Sequence, residues 1–327
     1  MPTLITGVSG QDGRLLSRML AKDHQKLFGV CRPGQKQVIA KYCPEIEVTE
    51  IDLIDEDKLI ETLNRIKPSK IFNLAGFSSV SASWQNPTLV TRVNSLVPSV
   101  ILNWCLKNGA NTRFVNASSS EIFGGSIVTP QNEKTPLEPV TPYGLSKAFA
   151  HNLVQLYRNQ YGLFASNAIL YNHESPLRDS KFVTRKISKA VSQIALGMNT
   201  GLELGDLKSK RDWGWAPDYV NGLTKIMNHE RPGDFVLATG RTHLVEDLVR
   251  YAFNHVGIFD FEKYLHHDLK SERSVDPSSL LGDNRAAIQE LRWATTTPLE
   301  NIMQKMVNFD IELLKNPHSQ WFADSAD

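Results

Sequence analysis

Cysteine is scarce in this chain: Cys31, Cys43 and Cys105 are the only three among 327 residues. An odd number without paired ligand spacing excludes a disulfide framework and a zinc site, and no other metal centre is expected. Charge of one sign is lacking too, since 36 Lys and Arg stand against 35 Asp and Glu for a net +1. No basic face of the kind nucleic acid requires is implied. No apolar run approaches the ~20 residues of a membrane span, so no membrane partner is expected. Met1-Pro2-Thr3-Leu4-Ile5-Thr6-Gly7 lacks the basic start and apolar core of a signal peptide, and the expected compartment is the cytoplasm. Repeats, low-complexity tracts and linker-like boundaries are also missing.

What is present is an ordinary globular balance, 41% hydrophobic and 22% charged. The first half alternates short apolar runs with longer amphipathic ones. Strands are expected at Thr3–Thr6, Lys26–Val30, Ile51–Leu53, Lys70–Leu74, Arg113–Ala117 and Phe164–Leu170. Helices are expected from Gly13, over Glu56–Arg65 and Pro142–Gln160, and within the long stretch Thr88–Asn108. This βαβ rhythm predicts an α/β fold, a doubly wound parallel sheet of seven strands with helices on both faces. After Tyr171 the rhythm breaks, returns at Asp234–Ala238 and ends in a helix near Leu299–Leu314. A smaller, discontinuous α/β lobe is implied. The division expected is 1–170, joined by about 212–240, for the sheet domain, with 171–211 and 241–327 for the lobe.

The turn after the first strand, Thr6-Gly7-Val8-Ser9-Gly10-Gln11-Asp12-Gly13, spaces glycines three and three where a strand hands over to a helix. Glycine lets the backbone approach a pyrophosphate, which the free N–H groups and dipole of the helix N-terminus attract. A glycine-rich turn alone is also simply a tight turn, but on the first βα connection it marks a Rossmann-type dinucleotide site. Gly7, Gly10, Gln11, Asp12 and Gly13 are its candidate residues. The second strand ends without an acidic residue to take a ribose 2′-hydroxyl and offers Arg32 instead, which suits a 2′-phosphate and favours NADP over NAD. Asp52 and Leu53 could grip the adenine edge, or Asp52 could cap the next helix. Leu74, Ala75 and Gly76, with Ser78 beyond them, end the fourth strand beside the expected pyrophosphate and ribose.

Tyr143 and Lys147 are four apart, on one face of a helix. A free phenol titrates near ~10, and a neighbouring ammonium together with a nicotinamide's positive charge would favour the phenolate, making Tyr143 a base. Lys147 would also hold the nicotinamide ribose. Ser118-Ser119-Ser120-Glu121 closes a strand upstream, where a hydroxyl could bond a reacting sugar oxygen and Glu121 could serve as a second acid/base. Read blandly, the serines are a polar strand end and Glu121 a turn cap.

These residues, with Ser120–Gly124, Tyr171–Pro176, Phe182–Ile187 and Arg211–Gly214, carry a family likeness. The chain resembles the extended short-chain dehydrogenase/reductases and, within them, the GDP-mannose 4,6-dehydratases, from Leu4 to about Pro317. The resemblance implies catalytic roles for Ser119, Glu121, Tyr143 and Lys147. It implies cofactor contacts for His173 and Arg178, and nucleotide-sugar contacts for Ser83, Asn172, Lys186, Arg211 and Arg273. Cationic donors on separate segments suit a diphosphate. It further implies a GDP-sugar substrate, bound NADP regenerated within each turnover, a 4-keto-6-deoxy product, and a homodimer with a tetramer as the alternative. Departures occur at Phe77-Ser78-Ser79-Val80, in the short loop from Pro33 to Lys36, and between Gly257 and Arg273. Open alternatives are a dehydratase of another GDP sugar such as a manno-heptose, an NADPH-consuming 4-keto-sugar reductase, and a non-catalytic NADP-binding regulatory protein.

Overall fold

The computed structural model describes residues 1–23, 26–109, 111–267 and 280–317. Its first part runs β1 (Thr3–Thr6), α1 (Gln11–Ala21), β2 (Leu27–Cys31), α2 (Lys36–Tyr42), β3 (Glu47–Glu50), α3 (Glu56–Ile66) and β4 (Lys70–Asn73). A long composite helix follows, made of α4 (Val80–Ser83) close by, then α5 (Pro87–Thr91), a π-helical turn over Arg92–Leu96, and α6 (Val97–Asn108). Then come β5 (Arg113–Ser119), a 3₁₀ turn over Ser120–Phe123, α7 (Pro142–Tyr161) and β6 (Ala165–Leu170).

Local chemistry explains the boundaries. Asp55 caps α3 by accepting from the Lys58 N–H, and Thr141 caps α7 by accepting from the Gly144 N–H, with Pro142 in the first turn and Gly162 left-handed beyond the end. Among the early strands, one expectation fails: the third lies at Glu47–Glu50, not Ile51–Leu53. That strand is polar because it forms the sheet edge, and only Val48 turns fully inward. The apolar run after it is the turn leading to α3.

The later chain supplies β7 (Asn172–Glu174), α8 (Val183–Ala195), β8 (Leu202–Leu204), β9 (Lys210–Arg211), β10 (Trp213–Trp215), α9 (Ala216–Asn228) and β11 (Asp234–Leu237). It ends with β12 (His243–Leu244), α10 (Val245–His255), β13 (Leu265–His267), α11 (Arg285–Leu291) and α12 (Leu299–Lys315). Strand β11 joins the main sheet, whose order is β11-β6-β5-β4-β1-β2-β3 with every pair parallel. This is the seven-stranded parallel sheet expected. Its order reverses between β1 and β4, which opens a crevice at the carboxyl ends of those strands.

Side chains at Ile5, Phe72, Val115 and Ile169 build one buried cluster on the sheet, and Tyr219, Leu223 and Trp293 extend it. Leu280, Ala287 and Leu291 also pack there, so the chain returns to the first body late. A separate cluster of Ile187, Val191, Trp213, Leu248, Phe253, Met303 and Met306 unites α8, α10 and α12 into the second lobe. The stretch Pro87–Asn108 is long and apolar enough to match a membrane span by length and composition, contrary to the expectation from the sequence. Half of that window is buried inside the fold, where Ile101, Leu102 and Trp104 pack beneath the sheet.

Candidate active site

The glycine turn is shaped by what it omits. Gly7 is left-handed at φ 70°, and a Cβ there would stand 2.7 Å from the Ala75 backbone; a Cβ on Gly13 would stand 2.5 Å from the Gly7 carbonyl oxygen. Only hydrogen fits at either place. The turn therefore lies flat between β1 and the end of β4 with the first N–H groups of α1 above it, a cradle that fits a dinucleotide pyrophosphate.

Polar side chains tie this turn to β7 and the residues that follow it. Gln11 donates to the His173 carbonyl at 3.1 Å and accepts from the Ser175 hydroxyl at 2.8 Å, while Arg14 donates to the Leu177 carbonyl at 3.0 Å. Asp12 Oδ2 meets His173 Nε2 at 3.0 Å. Burial opposes the charged form of both partners, yet their attraction and hydrogen bond outweigh it, holding Asp12 below and His173 above its ordinary value. His173 also stacks on Tyr219 with ring centroids 4.7 Å apart. Gln11, Asp12 and His173 thus clip two segments together. Arg178 ion-pairs with Glu174 at 3.4 Å and lies 3.7 Å over the Phe182 ring.

Arg32 is exposed just past the end of β2. Glu50, opposite Cys31, accepts from the Lys36 backbone N–H at 2.8 Å. Asp52 accepts from the Ile54 N–H, so the cap of α3 belongs to Asp55, and Leu53 is half-buried against Ile51 and Leu59. Beyond β4, Ala75 is buried, Leu74 is half-buried, and Gly76 and Ser78 are exposed.

The catalytic residues expected from the sequence come together where β5 outruns its neighbour. Pairing with β4 stops at Asn116, whereas pairing with β6 continues to Ser119. On the open side, Lys147 donates to the Ala117 carbonyl at 2.8 Å. The Ser119 hydroxyl bonds the Tyr143 phenol and accepts from the Glu121 N–H at 3.3 Å. Ser119, Glu121, Tyr143 and Lys147 are all buried.

Their electrostatics differ from the sequence expectation. Burial pushes the Tyr143 phenol up to about 12, with Glu121 and Asp12 adding to the rise and Ser119 and Arg178 opposing it. Burial in turn pulls Lys147 down to about 8. Desolvation therefore dominates both groups in the protein alone.

One further residue was not legible in the sequence. Asn94, on the π-helical turn, is buried, accepts from the Phe77 N–H at 2.8 Å and donates to the Phe77 carbonyl and to the Ser146 hydroxyl beside Lys147. Nothing in its local sequence marks the π turn that aims it inward. Ser83, expected to meet substrate, is fully buried: it donates to the Val80 carbonyl and accepts from the Tyr143 N–H at 3.3 Å, so it seats the start of α7.

In the second lobe Asn172 is half-buried on β7, Lys186 half-buried on α8, and Arg211 buried on β9 with a bond to the Lys210 carbonyl. Arg273 lies outside the described residues. Among the described residues no group of three His, Cys, Asp or Glu is placed to hold a metal, and the three cysteines are free and buried.

A family model described as GDP-mannose 4,6 dehydratase matches residues 4–306. GDP-mannose 4,6 dehydratase 2 of Arabidopsis thaliana is 35% identical over 95% of this chain and 87% of its own. The human GDP-mannose 4,6 dehydratase is 34% identical over 97% and 93%. In fold, the crystal structure of dTDP-glucose 4,6-dehydratase from Bacillus anthracis in complex with NAD superposes with a TM-score of 0.82 at 18% identity, covering 97% of each chain.

Proposed function

The chain belongs to the GDP-mannose 4,6-dehydratase family, and on that premise we propose that it converts GDP-mannose to GDP-4-keto-6-deoxymannose and water. The observation that carries this reading is the buried cluster of Tyr143, Ser119 and Glu121 at the end of β5 that outruns β4, beside Lys147. A nicotinamide cofactor is implied by the glycine cradle, and NADP is the form proposed because Arg32 stands at the end of β2 where an acidic residue would serve NAD. When bound, that cofactor accepts a hydride from sugar C4 and returns it to C6.

The chain's own residues handle the protons. Tyr143 takes the O4 proton as the C4 hydride leaves, its phenolate favoured by a nicotinamide's positive charge against the burial that holds the phenol up in the protein alone, and Ser119 holds the same oxygen. The ketone formed acidifies C5–H. Glu121 removes the C5 proton and protonates the departing C6 hydroxyl, which leaves as water; C5 then regains a proton that balances the one Tyr143 took from O4, so both groups end as they began. Lys147 and the residues Gly7 to Gly13 hold the cofactor, joined by Leu74, Ala75, Gly76, Ser78, His173 and Arg178. Asn172, Lys186, Arg211 and Arg273 are assigned to the nucleotide sugar. Lys186 and Arg211 suit the diphosphate because each brings a cation from a separate element.

A homodimer is proposed as well. Helix α7 leaves Leu145, Phe149 and Leu156 exposed along one face, and Leu89 and Leu96 are exposed on the composite helix packed beside it.

The activity is tested by incubating purified protein with GDP-mannose and catalytic NADP, without added reductant. The expected product is lighter by one water, with no net NADPH. Stoichiometric NADPH consumption with a 4-keto sugar would instead establish a reductase, and turnover of GDP-manno-heptose alone would move the substrate.

A further inference from the structure

Helix α7 carries a third buried polar residue in step with Tyr143 and Lys147. His151 follows Lys147 by four, on the same helix face, and is 2% exposed. Its Nδ1 lies 3.2 Å from the Ser118 hydroxyl. The three side chains therefore meet three consecutive residues of β5: Tyr143 bonds Ser119, His151 bonds Ser118 and Lys147 bonds the Ala117 carbonyl. These are the residues that β5 extends beyond its ladder with β4. Lys147 thus takes up a β5 backbone carbonyl there, while the other two contacts reach side chains.

The tautomer follows from the surroundings. Gln155 Nε2 donates to Asp234 Oδ2 at 2.7 Å and stands 3.1 Å from His151 Nε2. An amide nitrogen has only protons to offer, and turning the amide over would set its oxygen against the carboxylate, so His151 Nε2 accepts and Nδ1–H donates to Ser118. Burial favours the neutral ring, opposed by Asp234 and supported by Arg158. Asp234 is itself held by Arg158 at 2.8 Å and by Asn167 at 2.9 Å, so the far side of the ring is anchored to β11.

We propose that His151 is a positioning residue for the reaction, holding the end of β5 through Ser118, beyond its ladder with β4, so that Ser119 and Glu121 face Tyr143. The proposal rests on the dehydratase reading for its kinetic arm. Misplacing reacting groups by about an ångström costs on the order of 100-fold. His151→Leu is expected to lower kcat by about 10- to 100-fold while KM for GDP-mannose and Kd for NADP stay within about threefold. Ser118→Ala should cause the same loss, and the double variant no more than either. His151→Asn places an amide N–H where Nδ1 stands and should restore kcat to within about threefold of the unmodified enzyme.

A second arm needs no substrate. Hydrogen exchange at the amides of Ser119, Ser120 and Glu121 should quicken in His151→Leu and Ser118→Ala and stay slow in His151→Asn. Unchanged kcat in Ser118→Ala, no rescue by His151→Asn, or parallel loss of kcat, KM and cofactor affinity would overturn the proposal. If the unmodified protein leaves GDP-mannose untouched, the dehydratase reading fails and the exchange arm alone decides on His151. If His151→Leu does not fold, Ser118→Ala and His151→Asn decide.

Discussion

The two halves of the site are built on opposite principles. In the cofactor half the decisive positions are empty: Gly7 and Gly13 let one loop lie against Ala75 and against itself because no Cβ intrudes. In the catalytic half the decisive positions are filled, and Tyr143 and Lys147 are buried despite the cost of desolvating them, which lifts one to about 12 and lowers the other to about 8. The first half is spoiled by adding atoms. The second is spoiled by removing them, even when the fold survives.

That contrast orders the expected effects. Tyr143→Phe removes one oxygen and should lower kcat by about 10²–10⁴-fold while cofactor titration stays normal. Glu121→Gln belongs to the same half but to a later step: water loss should fall within that range, C4 oxidation should persist, and NADPH absorbance should build up on mixing with GDP-mannose. Comparable cofactor loss in both variants would erase the distinction between the halves.

Gly13→Ala does the reverse. Overpacking of about 1–3 kcal/mol at the turn should weaken NADP binding by up to about 100-fold, whereas kcat at saturating cofactor should change little. Fluorescence titration and kinetics on one preparation check it.

Arg32→Ala lies at the rim of the cofactor half, where loss of a charge-assisted bond should reduce the preference for NADP over NAD by about tenfold and leave NAD affinity alone. Equal affinities in the unmodified protein would remove that role from Arg32.

The smallest effect concerns the clip between Asp12 and His173. Because His173 is raised above 6.5, its contribution to stability is complete below that value and is lost as pH rises through its folded value. Asp12, lowered from 3.8, keeps its contribution above that value and loses it only in acid. Between pH 6 and pH 9, Tm should therefore fall by a few degrees more in the unmodified protein than in Asp12→Asn, as thermal melts can measure. An identical pH slope in both would show that the pair does not stabilise the fold.

Local signals carried most of what was legible. Strand β1 and helix α7 fall where periodicity and capping residues put them, and the glycine turn and the Tyr143–Lys147 spacing are short-range patterns. What escaped is held by partners distant in sequence. Helix α8 reads as polar because Ser188 and Ser192 bond carbonyls of their own helix, and Ser192 also bonds the Val307 carbonyl of α12, against which α8 packs. Strand β3 reads as a loop because an edge strand has one face to bury. Ser83 accepts from the Tyr143 N–H sixty residues away, a contact that no local pattern announces.

Strand β11 has a consequence for the order in which the molecule is made. Among the described residues it pairs only with β6, yet it leaves the ribosome after β7, α8, β8, β9, β10 and α9 have all been synthesised. Until then the nascent sheet ends in β6, a fully buried strand in the finished protein, with its backbone groups open along one side. A growing chain in this state can recruit a foreign strand, and the interval lengthens wherever translation pauses within residues 171–233. Chains released within that interval are accordingly the species expected to aggregate, and a chaperone that shields β6 until Asp234–Leu237 arrives would raise the yield of folded protein without altering its final stability.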